Sequence, residues 1–375
     1  MILREHKRSD KPLQQTRYYL KIAQRNTNCG RQLRDKVADS RDQRKGCQKK
    51  VQPKPQKRVK KRSINLEEEN NPPRKRPKRQ RTKAKSQPSN SPNQSAKECL
   101  DDVYEEGNLL GGGSFGQVFA GLRKADGLPV AIKYVSKQKL DEQLDMTGCG
   151  SVPIEVALMI IANKGPSCSK ILQMLDWYDE PEQYIMILER PDPCKDLDEF
   201  CKEHGGSLPE TLACNILLQL IDALKHCKRR AILHRDVKPE NILIQTDTLE
   251  IKLFDFGCGD LIKDSYDYFG GTLLYTPPEW FTQEQYLAGP GTIWSVGVTL
   301  YRLVCGSLPF NSRRDIKKSH LFFTKTLSEE CTNLIRWCLS PKAADRPTLE
   351  MVEAHDWFHQ PGLALKLDRK QGRLH

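Results

Sequence analysis

His234-Arg235-Asp236-Val237-Lys238-Pro239-Glu240-Asn241 decides the reading of this chain. The apolar run Ile242-Leu243-Ile244 follows at once and reads as a strand. A second strand, Ile251-Lys252-Leu253-Phe254, ends in Asp255-Phe256-Gly257. A hairpin of these two strands brings two acids, Asp236 and Asp255, and one amide, Asn241, to neighbouring strand edges. Phosphoryl transfer needs that combination. One carboxylate orients a substrate hydroxyl, and a second carboxylate with an amide holds magnesium on the phosphates. A turn-rich hairpin with solvated charges would require none of these spacings.

The stretch resembles the protein-kinase catalytic loop, and Asp255-Phe256-Gly257 resembles the metal-binding triplet of the same family. The resemblance makes Asp236 the catalytic base and makes Asn241 and Asp255 the ligands of Mg2+ or Mn2+, with ATP as co-substrate. Lys238, two residues after the base, is similar to the lysine that marks serine/threonine kinases and neutralises the γ-phosphate. The implied fold class is α+β, a bilobal kinase fold with a small antiparallel β lobe and a larger helical lobe.

Upstream, Leu110-Gly111-Gly112-Gly113-Ser114-Phe115-Gly116-Gln117-Val118 reads as strand, glycine turn, strand. Glycines let a backbone close over phosphates and present its N–H groups to them. A lone G-x-G-x-x-G also occurs in dinucleotide-binding turns. Here a strand rather than a helix follows, which favours a lid over ATP. Next comes Val130-Ala131-Ile132-Lys133, an apolar strand carrying one lysine, which is costly unless paired. The helix expected from Val152-Pro153 onward contains one carboxylate, Glu155, so Lys133 is assigned to Glu155 and to the α- and β-phosphates. Leu110 to Val118, Ala131 and Lys133 form the expected ATP site on this lobe.

Glu189-Arg190-Pro191-Asp192-Pro193 is the expected connector between lobes, with Glu189 and Pro191 against the adenine. Pro191 has no N–H to give, so a purine there is held by one bond fewer than usual. This hinge, Leu175-Asp176-Trp177-Tyr178 before it and Pro277-Pro278-Glu279-Trp280 after it resemble the PIM family of serine/threonine kinases. The resemblance runs from about Tyr104 to about Phe358. It implies that Thr272 bonds to Asp236 and Lys238, and that Glu279 pairs with Arg346. Thr292 stands where the general kinase pattern has an aspartate, a departure that PIM-type sequences share.

PIM-like kinases favour substrates with arginine or lysine upstream of the target. The matching acids here are Asp196, Glu199 and Glu240, with Asp192 and Asp198 adding charge nearby. Carboxylates can read guanidinium geometry as well as charge. Arg235 is the basic residue that in many kinases waits for an activation-segment phosphate. The PIM family instead uses acids just before the Gly-Thr, but this chain has Tyr268 and Gly270 there. Asp264, Asp267 or a phosphate on Ser265, Tyr266 or Tyr268 are the remaining partners for it.

The net charge of +13 conceals an asymmetry. Residues 1–97 carry 30 Lys+Arg and 8 Asp+Glu, leaving 31 and 40 for the rest. The kinase-like part is therefore acidic, which favours basic substrates and disfavours nucleic acid. Residues 1–97 are expected to be a disordered basic tail, because Pro, Lys, Arg, Gln and Ser cannot bury enough surface to offset ordering. Its clusters at 57–62 and 74–81 suit the nuclear-import machinery, and no aromatic residues interleave them for stacking on bases. Arg58 and Lys60 lie five and three residues before Ser63, the pattern of a self-phosphorylation site. The kinase domain is expected over 104–358, with lobes at 104–188 and 194–358, hinge 189–193, and a short tail at 359–375. The thirteen cysteines include no C-x-x-C and read as reduced thiols. There is no apolar leader at the start and no membrane-length run, so a cytoplasmic or nuclear monomer is expected. Two rival readings are a catalytically weak pseudokinase scaffold and a nucleic-acid-associated protein acting through the tail. The first usually loses the lysine, the base or the metal acid, and none is lost here.

Overall fold

The computed structural model describes residues 99–113, 116–137, 143–146 and 150–359. The basic tail, Ser63, Ser114, Phe115 and the residues after 359 lie outside them. A short helix, α1 (Leu100–Val103), leads into strands β1 (Tyr104–Gly113), β2 (Gly116–Arg123) and β3 (Pro129–Ser136). A hairpin of β4 (Gln143–Met146) and β5 (Gly150–Pro153) precedes α2 (Ile154–Asn163), and β6 (Met174–Asp179) and β7 (Gln183–Glu189) follow. The five-stranded sheet runs β1-β2-β3-β7-β6, antiparallel throughout.

Strand periodicity sorts the side chains of this sheet onto two faces. Val130, Ile132, Ile185 and Ile187 pack on one face with Leu100, Tyr104 and Tyr178. Ala131, Val135, Met186 and Leu188 pack on the other with Val156, Leu158 and Met159 of α2. Lys133 has the parity of Ala131 and Val135, so the pleat itself directs it toward α2. The helix begins two residues later than the sequence pattern suggests. Val152 and Pro153 belong to β5, paired with Leu144 and Gln143, and Pro153 is the N-cap.

Strand β8 (Cys194–Asp196) opens the second lobe, followed by α3 (Leu197–Glu203) and α4 (Glu210–Arg229), with Pro209 capping α4. Strand β9 (Ile232–Leu233) enters the catalytic stretch, and β10 (Ile242–Gln245) and β11 (Ile251–Leu253) leave it as the expected hairpin. The Phe254 N–H donates to the Asn241 carbonyl at 3.0 Å, which closes the hairpin beside Asp255. Strand β12 (Asp260–Leu261) pairs with β9. Helices α5 (Pro278–Gln283), α6 (Ala288–Cys305), α7 (Arg313–Lys318), α8 (Glu329–Cys338) and α9 (Leu349–Glu353) complete the lobe.

Helix α6 is poor in intrinsic propensity, with three glycines and several β-branched residues, each costing up to ~1 kcal/mol against alanine. Burial outweighs this. Thirteen of its residues are buried, and each large apolar side chain contributes roughly 1.5–3 kcal/mol. The buried helix is a floor for the site: Thr299 Oγ1 donates to the Val237 carbonyl at 3.4 Å and Ser295 Oγ to the Tyr275 carbonyl at 3.3 Å. Thr292 turns back on its own helix and donates to the Ala288 carbonyl at 2.8 Å. No helix among the described residues is long and apolar enough to cross a membrane. The described cysteines are free thiols.

Candidate active site

The sheet and α2 deliver the first charged group. Lys133 Nζ bonds Glu155 Oε1 and lies 3.5 Å from Asp255 Oδ1. Burial opposes the lysine charge, and the two carboxylates override it, holding the ammonium above the usual lysine range. Asp255 has a left-handed backbone (φ 64°, ψ 75°), a costly conformation for a non-glycine residue. Its neighbour Phe256 is fully buried and packs on the His234 ring at 4.8 Å. Burial pushes the His234 pKa down, and the neutral ring donates from Nε2 to the Phe254 carbonyl at 2.9 Å. These contacts over-determine the position of Asp255.

The second group is a closed polar triangle. Lys238 Nζ lies 2.7 Å from both Asp236 Oδ2 and Thr272 Oγ1, and Thr272 Oγ1 donates to Asp236 Oδ1 at 2.7 Å. Asn241 Nδ2 donates to the Asp236 carbonyl at 2.8 Å and to Oδ2 at 2.9 Å. Burial opposes the charge on Lys238, and the carboxylates of Asp236 and Glu240 hold it protonated. Both oxygens of Asp236 are thus aimed by fixed donors, the kind of support a general base needs.

Asn241 Oδ1 is buried with no hydrogen-bond partner, on a side chain whose residue is fully buried. Burying an amide oxygen unpaired is costly, so this atom is suited to a ligand. Asn241 and Asp255 offer oxygen donors, which suit Mg2+ or Mn2+. No group of three His, Cys, Asp or Glu residues able to hold a metal occurs among the described residues. A hard cation held here would take its remaining ligands from nucleotide phosphates and water.

Over this centre, β1 and β2 pair as Gly111 with Val118, Gly112 with Gln117 and Gly113 with Gly116. Ser114 and Phe115, expected at the tip, lie outside the described residues. Leu110 and Ala131 are buried in the main core cluster, and Val118 packs against it, giving an apolar roof. At the hinge, the Glu189 side chain is occupied structurally. It accepts from the Gln173 N–H at 2.7 Å and pairs with Lys252 at 2.9 Å. Any contact of Glu189 with adenine therefore falls to its backbone. Pro191 follows two residues later, without an N–H.

The acids on the substrate side divide into two kinds. Asp196 is only 2% exposed and caps α3, accepting from the Glu199 N–H at 2.6 Å. Asp198 is buried between Arg302 at 2.6 Å and Lys202 at 2.5 Å. These two, expected at the substrate surface, are instead drawn into the lobe by capping and ion pairing. Glu199 and Glu240 are half-buried. Glu240 Oε2 is buried without a hydrogen-bond partner, and burial pushes its carboxyl pKa up, with Lys238 pulling the other way.

Two further pairings hold the frame. Arg346 makes a two-pronged bond to Glu279 at 2.8 and 2.6 Å, both residues being buried. Of the partners that the sequence left open for Arg235, Asp264 and Asp267 are exposed and make no ion pair with it. The carboxylate that faces it belongs to Asp260, on β12. No spacing signal marked Asp260, because strand pairing rather than motif register brings it there.

Residues 104–358 match the family described as Protein kinase domain. The chain belongs to the protein kinase family. Within that family it is a PIM-like serine/threonine kinase: it is 44% identical over 269 residues to serine/threonine-protein kinase pim-2 of Danio rerio, covering 70% of this chain and 86% of that one. Serine/threonine-protein kinase prk-2 of Caenorhabditis elegans is 36% identical over 263 residues, which is 68% of this chain and 58% of that one. The PAS domain-containing serine/threonine-protein kinase of Mus musculus is more distant, 30% identical over 265 residues and 19% of its length. The chain is an ATP-dependent protein kinase.

Proposed function

We propose that this kinase transfers the γ-phosphate of ATP to serine or threonine in substrates with arginine or lysine upstream of the target. Asp236 orients the hydroxyl and accepts its proton. Lys238, anchored on Asp236 and Thr272, stabilises the charge on the transferred group. Lys133, fixed by Glu155, positions the α- and β-phosphates beside strands β1 and β2. Asn241 and Asp255 would hold Mg2+ or Mn2+, which when bound with ATP neutralises phosphate charge. Thr272 connects the activation segment to the base and so couples peptide binding to the chemistry.

One observation carries the substrate preference. Glu240 sits on the catalytic loop itself, between Lys238 and Asn241, with a buried carboxylate oxygen that no donor satisfies. An arginine of the substrate supplies the missing donor and charge together. Glu199 and the acidic balance of the chain after residue 97 add to this attraction. The test is a pair of serine peptides that differ only in upstream arginines or alanines. A kcat/KM ratio of about tenfold or more in favour of arginine, equivalent to one charge-assisted bond, is expected. Equal rates would remove the basic preference while leaving the kinase assignment standing. The clusters at 57–62 and 74–81 fit recognition by the nuclear-import machinery, and imaging the full chain with both neutralised tests that role.

A further inference from the structure

Between the catalytic loop and helix α6 lies a small cavity of ≈ 20 Å³, walled by Arg235, Val237, Phe269, Tyr286, Thr292 and Ser295 among others. That is room for one particle of about the size of water, and too little for a tetrahedral oxyanion. Two residues of the wall each bring a buried polar atom with no hydrogen-bond partner, Arg235 Nη1 and the Tyr286 hydroxyl. Buried donors left unpaired are costly, so two of them beside one cavity point to an occupant.

Charge narrows what the occupant is. The Arg235 side chain is 5% exposed, and a guanidinium so buried must be compensated. Nε donates to the Cys258 carbonyl at 2.5 Å, and Nη2 lies 3.4 Å from the Gly259 carbonyl. The carboxylate that faces it, Asp260, stays 3.9 Å from Nη1, beyond hydrogen-bond reach. Its oxygens are already committed. Oδ2 accepts from Lys263 at 2.7 Å and from the Tyr268 hydroxyl at 2.5 Å, and Oδ1 accepts from the Leu261 N–H at 2.7 Å. Two cations, Arg235 and Lys263, thus share one carboxylate.

Tyr286 does not supply the missing charge. Burial raises its phenol pKa to about 12, with the Arg235 guanidinium pulling the other way, so the hydroxyl keeps its proton at neutral pH. It is also held in place. Its ring stacks on Tyr266 at 5.2 Å, and its backbone pairs with that of Tyr266 at 3.0 and 3.1 Å. A Cβ at Gly291 would lie 2.9 Å from this ring, so the glycine gives it room. The helix side brings no charge either. Thr292 donates to the Ala288 carbonyl and Ser295 to the Tyr275 carbonyl.

We propose that this cavity is a binding site for a monovalent anion of chloride size, which accepts from Arg235 Nη1 and the Tyr286 hydroxyl. It stands in for a carboxylate at position 292, where the general kinase pattern has aspartate and this chain has threonine. A water in the cavity would satisfy the donors without balancing the charge, and its own two protons would then need acceptors. The anion joins the residue before the base to the segment that enters α6. The inference does not depend on the phosphotransfer reading above.

The test compares thermal unfolding of the full chain in sodium chloride, sodium bromide and sodium gluconate at one ionic strength, so that screening is constant. The midpoint is expected to be roughly 2–4 °C higher in the halides and to saturate as halide replaces gluconate. Thr292→Asp puts a fixed carboxylate into the cavity and should abolish the dependence. Tyr286→Phe removes one donor and should shift saturation to roughly tenfold more halide. Both variants keep the basic tail, so anions bound there cancel in the comparison. Anomalous diffraction from crystals grown in bromide should place a peak against Arg235 Nη1 and the Tyr286 hydroxyl. Equal midpoints in the three salts would overturn the proposal, as would halide dependence undiminished in both variants or a water in the cavity without anomalous signal. If Thr292→Asp does not fold, Tyr286→Phe decides alone.

Discussion

Lys133 and Arg235 are both cations largely withdrawn from water, and they are held by different means. Lys133 is held by two carboxylates, Glu155 and Asp255, that come from other elements and belong to the nucleotide site itself. Arg235 is held by carbonyls, an aromatic face and Asp260, all on the segment it organises. The first arrangement is poised for exchange, because phosphates and metal can compete for the same charges. The second is made within one segment, and it leaves Arg235 Nη1 buried without a hydrogen-bond partner. The contrast separates a group that takes part in chemistry from one that positions it.

The largest expected effect breaks the Lys133 side. Asp255→Asn removes one of its two carboxylates and the proposed metal ligand, and turnover should fall by about 10²–10³-fold or more. The thermal midpoint should change little, since the backbone contacts around Phe256 remain. A steady-state phosphotransfer assay beside a melting curve checks both.

Arg346 gives the limiting case of a closed cation, paired with the buried Glu279. Arg346→Ala leaves Glu279 buried and unpaired, at a cost of about 3–5 kcal/mol in stability. Denaturant unfolding measures this. Specific activity of the fraction that remains folded should change far less than in Asp255→Asn.

Glu240 sharpens the comparison from the substrate side, as an acid left open rather than closed. Glu240→Gln should lower kcat/KM for the arginine peptide roughly tenfold and leave the alanine peptide nearly unaffected. A pH series gives the smallest effect and fixes its sign. Burial raises the Glu240 pKa, so its charge is lost at higher pH than that of an exposed glutamate, near 4.3. Preference for arginine should therefore fade as pH falls, from a higher pH than an exposed glutamate would show. In Glu240→Gln the ratio of the two peptides should stay flat over the same range.

Residues that work at fixed spacing on one hairpin were legible in the sequence. Asp236, Lys238, Asn241 and Asp255 are adjacent because β10 and β11 pair, and a short turn permits only that pairing. Lys133 and Glu155 were legible because the strand has one lysine and the helix one acid. Pairings made by long-range backbone registry were not. Asp260 is one of three aspartates within eight residues, and only the β9–β12 pairing singles it out. Asp196 and Asp198 look like surface charges by composition, yet a helix cap and Arg302 draw them inside. Val152 and Pro153 read as helix because proline suits a helix start, but the β4 partner takes them into a strand.

The central claim is that the assembled centre transfers phosphate. It is tested most directly by following radiolabelled γ-phosphate from ATP onto the arginine peptide, with the purified full chain and its Asp255→Asn variant side by side. The expected result is steady accumulation of labelled peptide with the wild type and a trace at background with the variant. Equal accumulation in both, or none in either at any enzyme concentration, would contradict the account.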